Sequence, residues 1–175
     1  MAEPPHLIAA GRHVHLVSRG GWEYATRPEI GGIVAIVALT DDGRIVLTEQ
    51  YRPPAGGPVI ELPAGLAGDR DDASMDESLL EAAQRELREE TGYEASHWTR
   101  LFEAYTSPGI SDEMLTFFRA TGLRRISSGG GDASERITVH TVPLAGVTPF
   151  VESRRAAGCA VDLKLYAGLY AALHL

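Results

Sequence analysis

Three glutamates lie close together in the run Arg85-Glu86-Leu87-Arg88-Glu89-Glu90. On an α-helix, Glu86 and Glu90 are one turn apart on the same face, and Glu89 flanks that face. Carboxylates at this spacing repel each other, and a divalent cation held between them offsets that repulsion. Oxygen donors of this kind favour hard cations such as Mg²⁺ or Mn²⁺. The alternative is a solvated acidic helix face, which is the usual explanation of a run of charges.

A helix over residues 75–91 is predicted to bring these glutamates together. Ser74 and Glu77 have the spacing of a capping box at its start, and Gly92 is placed as a C-cap glycine at its end. Apolar residues at helical spacing predict a buried stripe on the side away from the carboxylates. The stripe consists of Leu79, Leu80, Ala83 and Leu87.

The remainder of the chain predicts strands around this helix. They are expected at residues 13–17, 22–26, 33–39, 44–50, 59–62, 101–106, 114–120 and 136–142, with two further helices at 144–157 and 161–173. Asp41-Asp42-Gly43 predicts a hairpin, and residues 127–134, with three consecutive glycines, predict a flexible loop. This order indicates one α/β or α+β domain over residues 1–175. Antiparallel strands in 1–30 would precede a core formed by 31–175.

Composition excludes several functional classes. There are 16 Lys and Arg residues against 24 Asp and Glu, a net charge of −8, which opposes nucleic-acid binding through a basic face. Cys159 is the only cysteine, so an internal disulfide and a multi-cysteine zinc site are excluded. No apolar run approaches the roughly 20 residues of a membrane span, and the N-terminus lacks the pattern of a secretory signal. We therefore expect a cytoplasmic protein that binds neither nucleic acid nor membrane.

The spacing around the helix resembles that of the Nudix hydrolases, whose box reads G-x5-E-x7-R-E-U-x-E-E-x-G-U with U apolar. The matching residues are Glu77, Arg85-Glu86-Leu87, Glu89-Glu90 and Gly92-Tyr93. One departure precedes the helix, where eleven residues separate Gly65 from Glu77 in place of five. We interpret the six additional residues as a surface insertion.

The resemblance implies a Nudix-type α/β/α sandwich with a mixed central sheet. It also implies attack of water on the diphosphate of a nucleotide, assisted by two or three Mg²⁺ or Mn²⁺ ions that neutralise developing charge. Arg85 is implied to orient the glutamates, together with Glu77. The implied metal ligands are the Ala64 carbonyl and the carboxylates of Glu86, Glu89, Glu90 and Glu135, and the implied catalytic residues are Arg85, Glu89 and Glu135.

Three segments outside the box resemble the branch that hydrolyses ADP-ribose and nucleoside diphosphate sugars. They are EQYR at 49–52, ELPAG at 61–65 and SPGISDE at 107–113, although the third would also suit an ordinary turn. The guanidinium of Arg52 is suited to clamping a phosphate. Expected substrate contacts are Arg52, Glu61, Ser107, Gly109 and Glu113, with Trp22 and Tyr24 as candidates for stacking on the base. The resemblance also implies a homodimer, in which those aromatic side chains would reach the site of the partner subunit; packing is their alternative role.

Two questions stay open on sequence grounds. The first is which group activates water: Glu135, ahead of the strand at 136–142, or Asp132. The second is whether the glycines before them let the loop close over substrate or form a linker. The proposed substrate class is a small-molecule nucleotide sugar. The alternatives are hydrolysis of nucleoside triphosphates or dinucleoside polyphosphates, and a sensor that binds nucleotide sugars without cleaving them. The complete box argues against the sensor.

Overall fold

Strands supply most of the regular structure in the computed structural model, which describes residues 3–68, 77–131 and 135–175. The strands are β1 (His6–Ala10), β2 (His15–Arg19), β3 (Trp22–Thr26), β4 (Gly32–Ala38), β5 (Arg44–Arg52), β6 (Gly57–Glu61), β7 (Ala64–Ala67), β8 (Tyr93–Tyr105), β9 (Met114–Arg125), β10 (Ile137–Pro143) and β11 (Ala160–Val161). The helices are α1 (Leu79–Thr91), α2 (Val147–Ala156) and α3 (Leu163–His174). The short strands β1, β7 and β11 were not expected from the sequence.

The strands form three sheets. The N-terminal sheet has the order β1-β2-β3 and is antiparallel, as expected. The other two sheets have the orders β10-β5-β6-β11 and β7-β4-β9-β8. Each of these is mixed, because β11 runs parallel to β6 and β4 runs parallel to β9. The expected α/β architecture is therefore confirmed, and the structure has two mixed four-stranded sheets where one mixed central sheet was expected.

The hairpin predicted at Asp41-Asp42-Gly43 is wrong, although the chain does turn there. Thr40 N donates to Arg44 O at 2.9 Å, and Gly43 has a φ of 76°. Leu39 and Ile45 form an isolated bridge next to this bond, but β4 and β5 themselves belong to different sheets. The physical reason is that both edges of β4 are occupied by β7 and β9, while those of β5 are occupied by β6 and β10.

Helix α1 begins four residues later than expected. Its capping box is formed by Ser78 and Glu81: Glu81 N donates to Ser78 Oγ at 3.2 Å, and Ser78 N donates to Glu81 Oε2 at 2.9 Å. Glu77 therefore lies before the helix, where it accepts a hydrogen bond from Gly68 N. Ser74 and most of the insertion lie outside the described residues. Gly92 ends the helix with a φ of 72°, as predicted.

Two apolar clusters hold the helices against the sheets. Ala82, Ala83 and Leu87 of α1 pack against β4 and β9. Leu80 was expected in this buried stripe, but it is exposed. The other cluster packs α2 and α3, including buried Leu165, against the opposite faces of the strands. Since its apolar side is buried in this way, α1 presents its glutamates on the other side. No helix in the described part of the chain is long and apolar enough to span a membrane.

Candidate active site

A cleft of about 1100 Å³ brings most of the predicted site residues together. It lies between α1 with β7 on one side and, on the other, the ends of β5 and β6 and the segment that enters α3. The predicted residues that line it are Arg52, Glu61, Ala64, Arg85, Glu86, Glu89, Glu90, Glu113 and Glu135. The carboxylates, expected to act together from their spacing, therefore share one opening to solvent.

Arg85 is the centre of a network of ion pairs on α1. Its Nε donates to Glu77 Oε1 at 2.9 Å, and its Nη1 donates to Glu86 Oε1 at 2.8 Å and to Glu89 Oε2 at 3.2 Å. Its Nη2 also donates to the carbonyl of Leu66 on β7 at 2.8 Å. Burial lowers the pKa of Arg85, but the bonds to these carboxylates outweigh burial and raise it above the ordinary value. Such a fixed cation is suited to orienting the glutamates.

Glu90 is the most deeply buried carboxylate of the box, with 3% of its surface exposed. One of its oxygens accepts a hydrogen bond from Ala64 N at 3.1 Å. Burial first, and then the charge of Glu86, raise the pKa of Glu90 well above its ordinary value. A negative charge at this position is therefore costly unless a positive charge comes close.

The donor set suits a hard divalent cation, since Glu86, Glu89 and Glu90 supply only oxygen ligands. Within the described ranges, no group of three or more His, Cys, Asp or Glu side chains is already arranged around one point. Glu86 and Glu89 are turned towards Arg85, and Glu90 is turned towards β7. Binding a cation therefore requires these side chains to exchange some of their present contacts for metal coordination.

Arg52 and Glu61 form a two-pronged ion pair where β5 meets β6. Arg52 Nε donates to Glu61 Oε1 at 2.6 Å, and its Nη2 donates to Oε2 at 2.8 Å. Glu61 is buried, whereas the Arg52 side chain reaches the cleft. The bonds to Glu61 raise the pKa of Arg52 above its ordinary value. The guanidinium is thus held in one orientation at the opening.

Glu135 lies beside the end of α1 because the glycine loop is attached there. Gly130 N donates to the carbonyl of Glu90 at 2.8 Å, and Gly131 N donates to that of Glu89 at 3.0 Å. These carbonyls belong to the last helical turn, which has no intrahelical donors for them. Gly130 and Gly131 have φ values of 116° and 80°. One alternative from the sequence was that the glycines form a linker, but Gly130 and Gly131 are hydrogen-bonded to the helix. Asp132 lies outside the described residues.

The segment at 107–113 is held by the N-terminal sheet. Ala25 N of β3 donates to the carbonyl of Ile110 at 2.8 Å, and Arg27 Nε donates to Glu113 Oε1 at 2.6 Å. Glu113 and Arg27 consequently line the cleft. Ser107 does not line it; its carbonyl instead accepts from Ile110 N within the turn.

Trp22, Tyr24 and Gly109 lie in a separate cleft of about 290 Å³. Tyr105 and Arg19 also line it, and Trp22 is 67% exposed. Within one chain, the structure therefore does not bring these aromatic side chains to the carboxylates. Their expected stacking on a nucleobase stays a prediction.

Three charged residues that line the main cleft were not identified from the sequence: Arg27, Asp162 and Lys164. Asp162 is the N-cap of α3, and its Oδ1 accepts from Lys164 N at 2.7 Å. An Asp before an apolar helix is the only local signal for this position. That signal predicts a helix cap, but it does not predict that Asp162 and Lys164 line a cleft together with α1, which is distant in sequence.

Comparison with known proteins identifies similar chains and a similar structure. A family model described as "NUDIX domain" matches residues 31–154. The chain is 36% identical over 124 residues to an ADP-ribose pyrophosphatase of Bacillus subtilis (strain 168), covering 70% of this chain and 64% of that protein. It is 34% identical over 125 residues to a methanol dehydrogenase activator of Bacillus methanolicus, covering 71% and 64%.

A third relative is an ADP-ribose pyrophosphatase of Mycobacterium tuberculosis (strain ATCC 25618 / H37Rv), 47% identical over 95 residues. That match covers 54% of this chain and 44% of the relative, so the chain spans less than two thirds of the length of all three proteins. A crystal structure of an ADP compounds hydrolase superposes with a TM-score of 0.64 at 24% identity, covering 87% of this chain and 82% of the other. This likeness shows a shared fold.

Proposed function

The chain belongs to the NUDIX family, and from that membership we propose that it hydrolyses the diphosphate of ADP-ribose or of a related nucleoside diphosphate sugar. The products would be a nucleoside monophosphate and a sugar phosphate. One observation carries the proposal: Arg85, Glu86, Glu89 and Glu90 line the same cleft as the Arg52–Glu61 pair. Two relatives named as ADP-ribose pyrophosphatases support the substrate class.

We propose that two or three Mg²⁺ or Mn²⁺ ions bind on the α1 side of the cleft. Glu86, Glu89 and Glu90 would hold them, together with the carbonyl of Ala64 and with Glu135. When bound, such ions neutralise phosphate charge and make a coordinated water more acidic. The raised pKa of buried Glu90 supports this placement, since a cation offsets the burial of its negative charge.

Each protein side chain has its own part in this proposal. Arg85 holds Glu86 and Glu89 in orientation through the bonds described above. Arg52, fixed against Glu61, binds a phosphate oxygen with the remaining part of its guanidinium. The substrate is thereby placed between the carboxylates of α1 and the ends of β5 and β6, and Glu113 contacts it from the β9 side.

Glu135 is the proposed general base. A water oxygen attacks phosphorus, the bond from that phosphorus to a leaving phosphate oxygen breaks, and the proton of the water passes to Glu135. The hydrogen bonds of Gly130 and Gly131 to α1 support this role, since they attach the segment before Glu135 to the helix that carries the box. Asp132 is the alternative base.

We further propose that the protein acts as a homodimer, with Trp22 and Tyr24 reaching the site of the partner subunit. Exposed apolar side chains on the N-terminal sheet, including Leu7, Leu16 and Trp22, support an interface there. The cytoplasmic location expected from the sequence, and the arrangement of residues 1–175 as a single domain, stay predictions.

A substrate panel tests the proposed reaction. The purified protein is incubated with ADP-ribose, ADP-glucose, GDP-mannose, diadenosine polyphosphates and deoxynucleoside triphosphates, with Mg²⁺, Mn²⁺ or EDTA, and the products are separated by chromatography. We expect AMP and ribose 5-phosphate from ADP-ribose, with no turnover in EDTA. Preferential release of inorganic phosphate or pyrophosphate from the triphosphates would favour the alternative hydrolase. Binding of ADP-ribose without cleavage in any metal would indicate a sensor.

A further inference from the structure

The cleft has a second polar wall where β11 runs into α3. Val161 of β11 is paired with Ile60 of β6, and Asp162 N donates to the carbonyl of Ile60 at 3.0 Å. Asp162 therefore lies next to the strand end that carries Glu61, and Lys164 lines the cleft beside it. Lys164 is the only lysine in the chain. Neither residue belongs to the box or to the segments that the proposed reaction uses.

Asp162 and Lys164 form a partly buried ion pair. Oδ1 of Asp162 accepts from the backbone N of Lys164 and caps α3, while Oδ2 pairs with the ammonium group of Lys164. The two side chains are 22% and 20% exposed. Because one carboxylate oxygen of Asp162 caps α3, the cap favours this orientation of the side chain, and the other oxygen holds the ammonium group at the wall of the cleft.

The charge of this pair indicates what it binds. An ion pair between an ammonium group and a carboxylate has a net charge close to zero, so it attracts another anion weakly. The pair nevertheless offers a donor and an acceptor side by side, which is the arrangement that neighbouring hydroxyl groups match. A nucleobase would need a flat stacking surface, and none of the described residues that line this cleft is aromatic.

We infer that Asp162 and Lys164 form a sugar subsite that binds two neighbouring hydroxyl groups of the substrate. These hydroxyls belong either to the ribose of the nucleoside or to the terminal sugar. The inference rests on the proposed function for the identity of the substrate. Its test must therefore measure binding at Lys164 separately from hydrolysis.

The single lysine allows a direct test by chemical labelling. The protein in EDTA is treated briefly with an amine-acetylating reagent, and mass spectrometry compares acetylation of Lys164 with that of the N-terminal amine. Saturating ADP-ribose is expected to slow acetylation of Lys164 by about fivefold or more relative to that reference. No slowing by ADP-ribose overturns the subsite. Slowing without any hydrolysis in the substrate panel leaves the subsite standing and rejects the proposed reaction.

Smaller ligands identify the hydroxyl groups. Ribose 5-phosphate is compared with 2-deoxyribose 5-phosphate for the terminal sugar, and AMP is compared with 2′-deoxy-AMP for the nucleoside. We expect protection by one hydroxylated ligand and little protection by its deoxy counterpart. Equal protection by inorganic phosphate would show an anion site, and equal protection by both members of each pair would show that the hydroxyls are not bound. Either result overturns the proposal.

Variants supply an independent measurement. Asp162→Asn keeps an N-capping side chain, and Lys164→Met keeps most of the apolar length of lysine. Each is expected to raise KM for ADP-ribose about fivefold to tenfold, the loss of roughly one hydrogen bond, with kcat changed less than about twofold. Tyr166→Phe, on the exposed side of α3, is the control. Unchanged KM in both variants would contradict the subsite.

Discussion

A methyl group on Gly65 would lie 2.0 Å from the carboxyl carbon of Glu86, far inside the contact distance of nonbonded carbons. Strand β7 thus approaches α1 so closely that only a hydrogen atom fits at position 65. Gly65 does not have a positive φ, so its backbone conformation is open to other residues. The requirement for glycine comes from the position of the Glu86 side chain.

Gly65→Ala is accordingly expected to fold and to lose activity. The added methyl group displaces the Glu86 carboxylate by an ångström or more, and misplacement of that size costs about a hundredfold in turnover. Gly57→Ala is the matched control, because Gly57 lies on β6 near the same cleft and has open space around it. Turnover of ADP-ribose and circular dichroism are measured for both. Parental activity in Gly65→Ala would show that Glu86 need not occupy its present position.

Glu86→Gln and Glu90→Gln should each lower kcat by at least about a hundredfold, since charge stabilisation by bound metal contributes several kcal/mol. Folding should survive, because each change removes a repulsion between neighbouring carboxylates. Steady-state kinetics and thermal unfolding in EDTA measure the two effects. Glu152→Gln, on the exposed face of α2, is the control. Activity within a few-fold of the parent in both variants would reject the metal assignment.

Replacing the loop acids distinguishes the two candidate bases. If Glu135 accepts the proton in the transition state, Glu135→Gln lowers kcat with little change in KM. We expect this result, because Glu135 precedes β10, whose Ile137 is paired with Gln50 of β5 and is therefore fixed in position. Asp132→Asn should then have a mild effect. A much larger loss of kcat in Asp132→Asn would transfer the role to Asp132.

Away from the cleft, Glu49 of β5 links β10, α2 and the loop that follows α2, and it should make the stability of the fold depend on pH. Its carboxylate accepts a hydrogen bond from Arg154 Nη2 and another from Cys159 Sγ at 3.4 Å. It also lies 2.8 Å from His140 Nε2. Burial raises the pKa of Glu49, but these bonds outweigh burial and lower it below the ordinary value. For a carboxylate with a lowered pKa, the stabilisation is complete above the unfolded pKa of about 4.3 and is lost as pH falls through the folded value.

Glu49→Gln is therefore expected to reduce the free energy of unfolding by about 1–3 kcal/mol at pH 7. The difference from the parent should shrink below a pH of about 4. Urea unfolding of the variant and the parent at pH 7 and at a pH below about 4 measures this difference in free energy. Glu23→Gln, at an exposed position, is the control. A difference that is constant with pH would show that the charge of Glu49 does not contribute.

The homodimer is tested by sedimentation at micromolar concentrations. We expect the mass of two chains, because the N-terminal sheet exposes Leu7 and Leu16, and such apolar surface is commonly covered by a partner. Leu7→Glu combined with Leu16→Glu should give a single-chain mass, since charges at both positions oppose burial. A single-chain mass for the parent protein would reject the dimer.

Local patterns were sufficient to predict helix α1 and the grouping of its carboxylates. Helical spacing places Glu86, Glu89 and Glu90 together whatever the rest of the chain does, and Gly92 ends the helix through its own backbone conformation. The same local signals misplaced the start of the helix at Ser74 and Glu77. Ser78 and Glu81 have the identical capping-box spacing, and choosing between the two requires knowledge of what Glu77 contacts.

Contacts between distant segments were decided only by the tertiary structure. The turn at Asp41-Asp42-Gly43 joins two sheets rather than one hairpin, because the strand edges on both sides are taken by segments far away in sequence. For the same reason, Asp162 and Lys164 reach the cleft through the pairing of β11 with β6. Trp22 and Tyr24 lie in another cleft of the same chain. The sequence alone thus determined which side chains stand on one helix, whereas the pairing of strand edges determined what faces that helix.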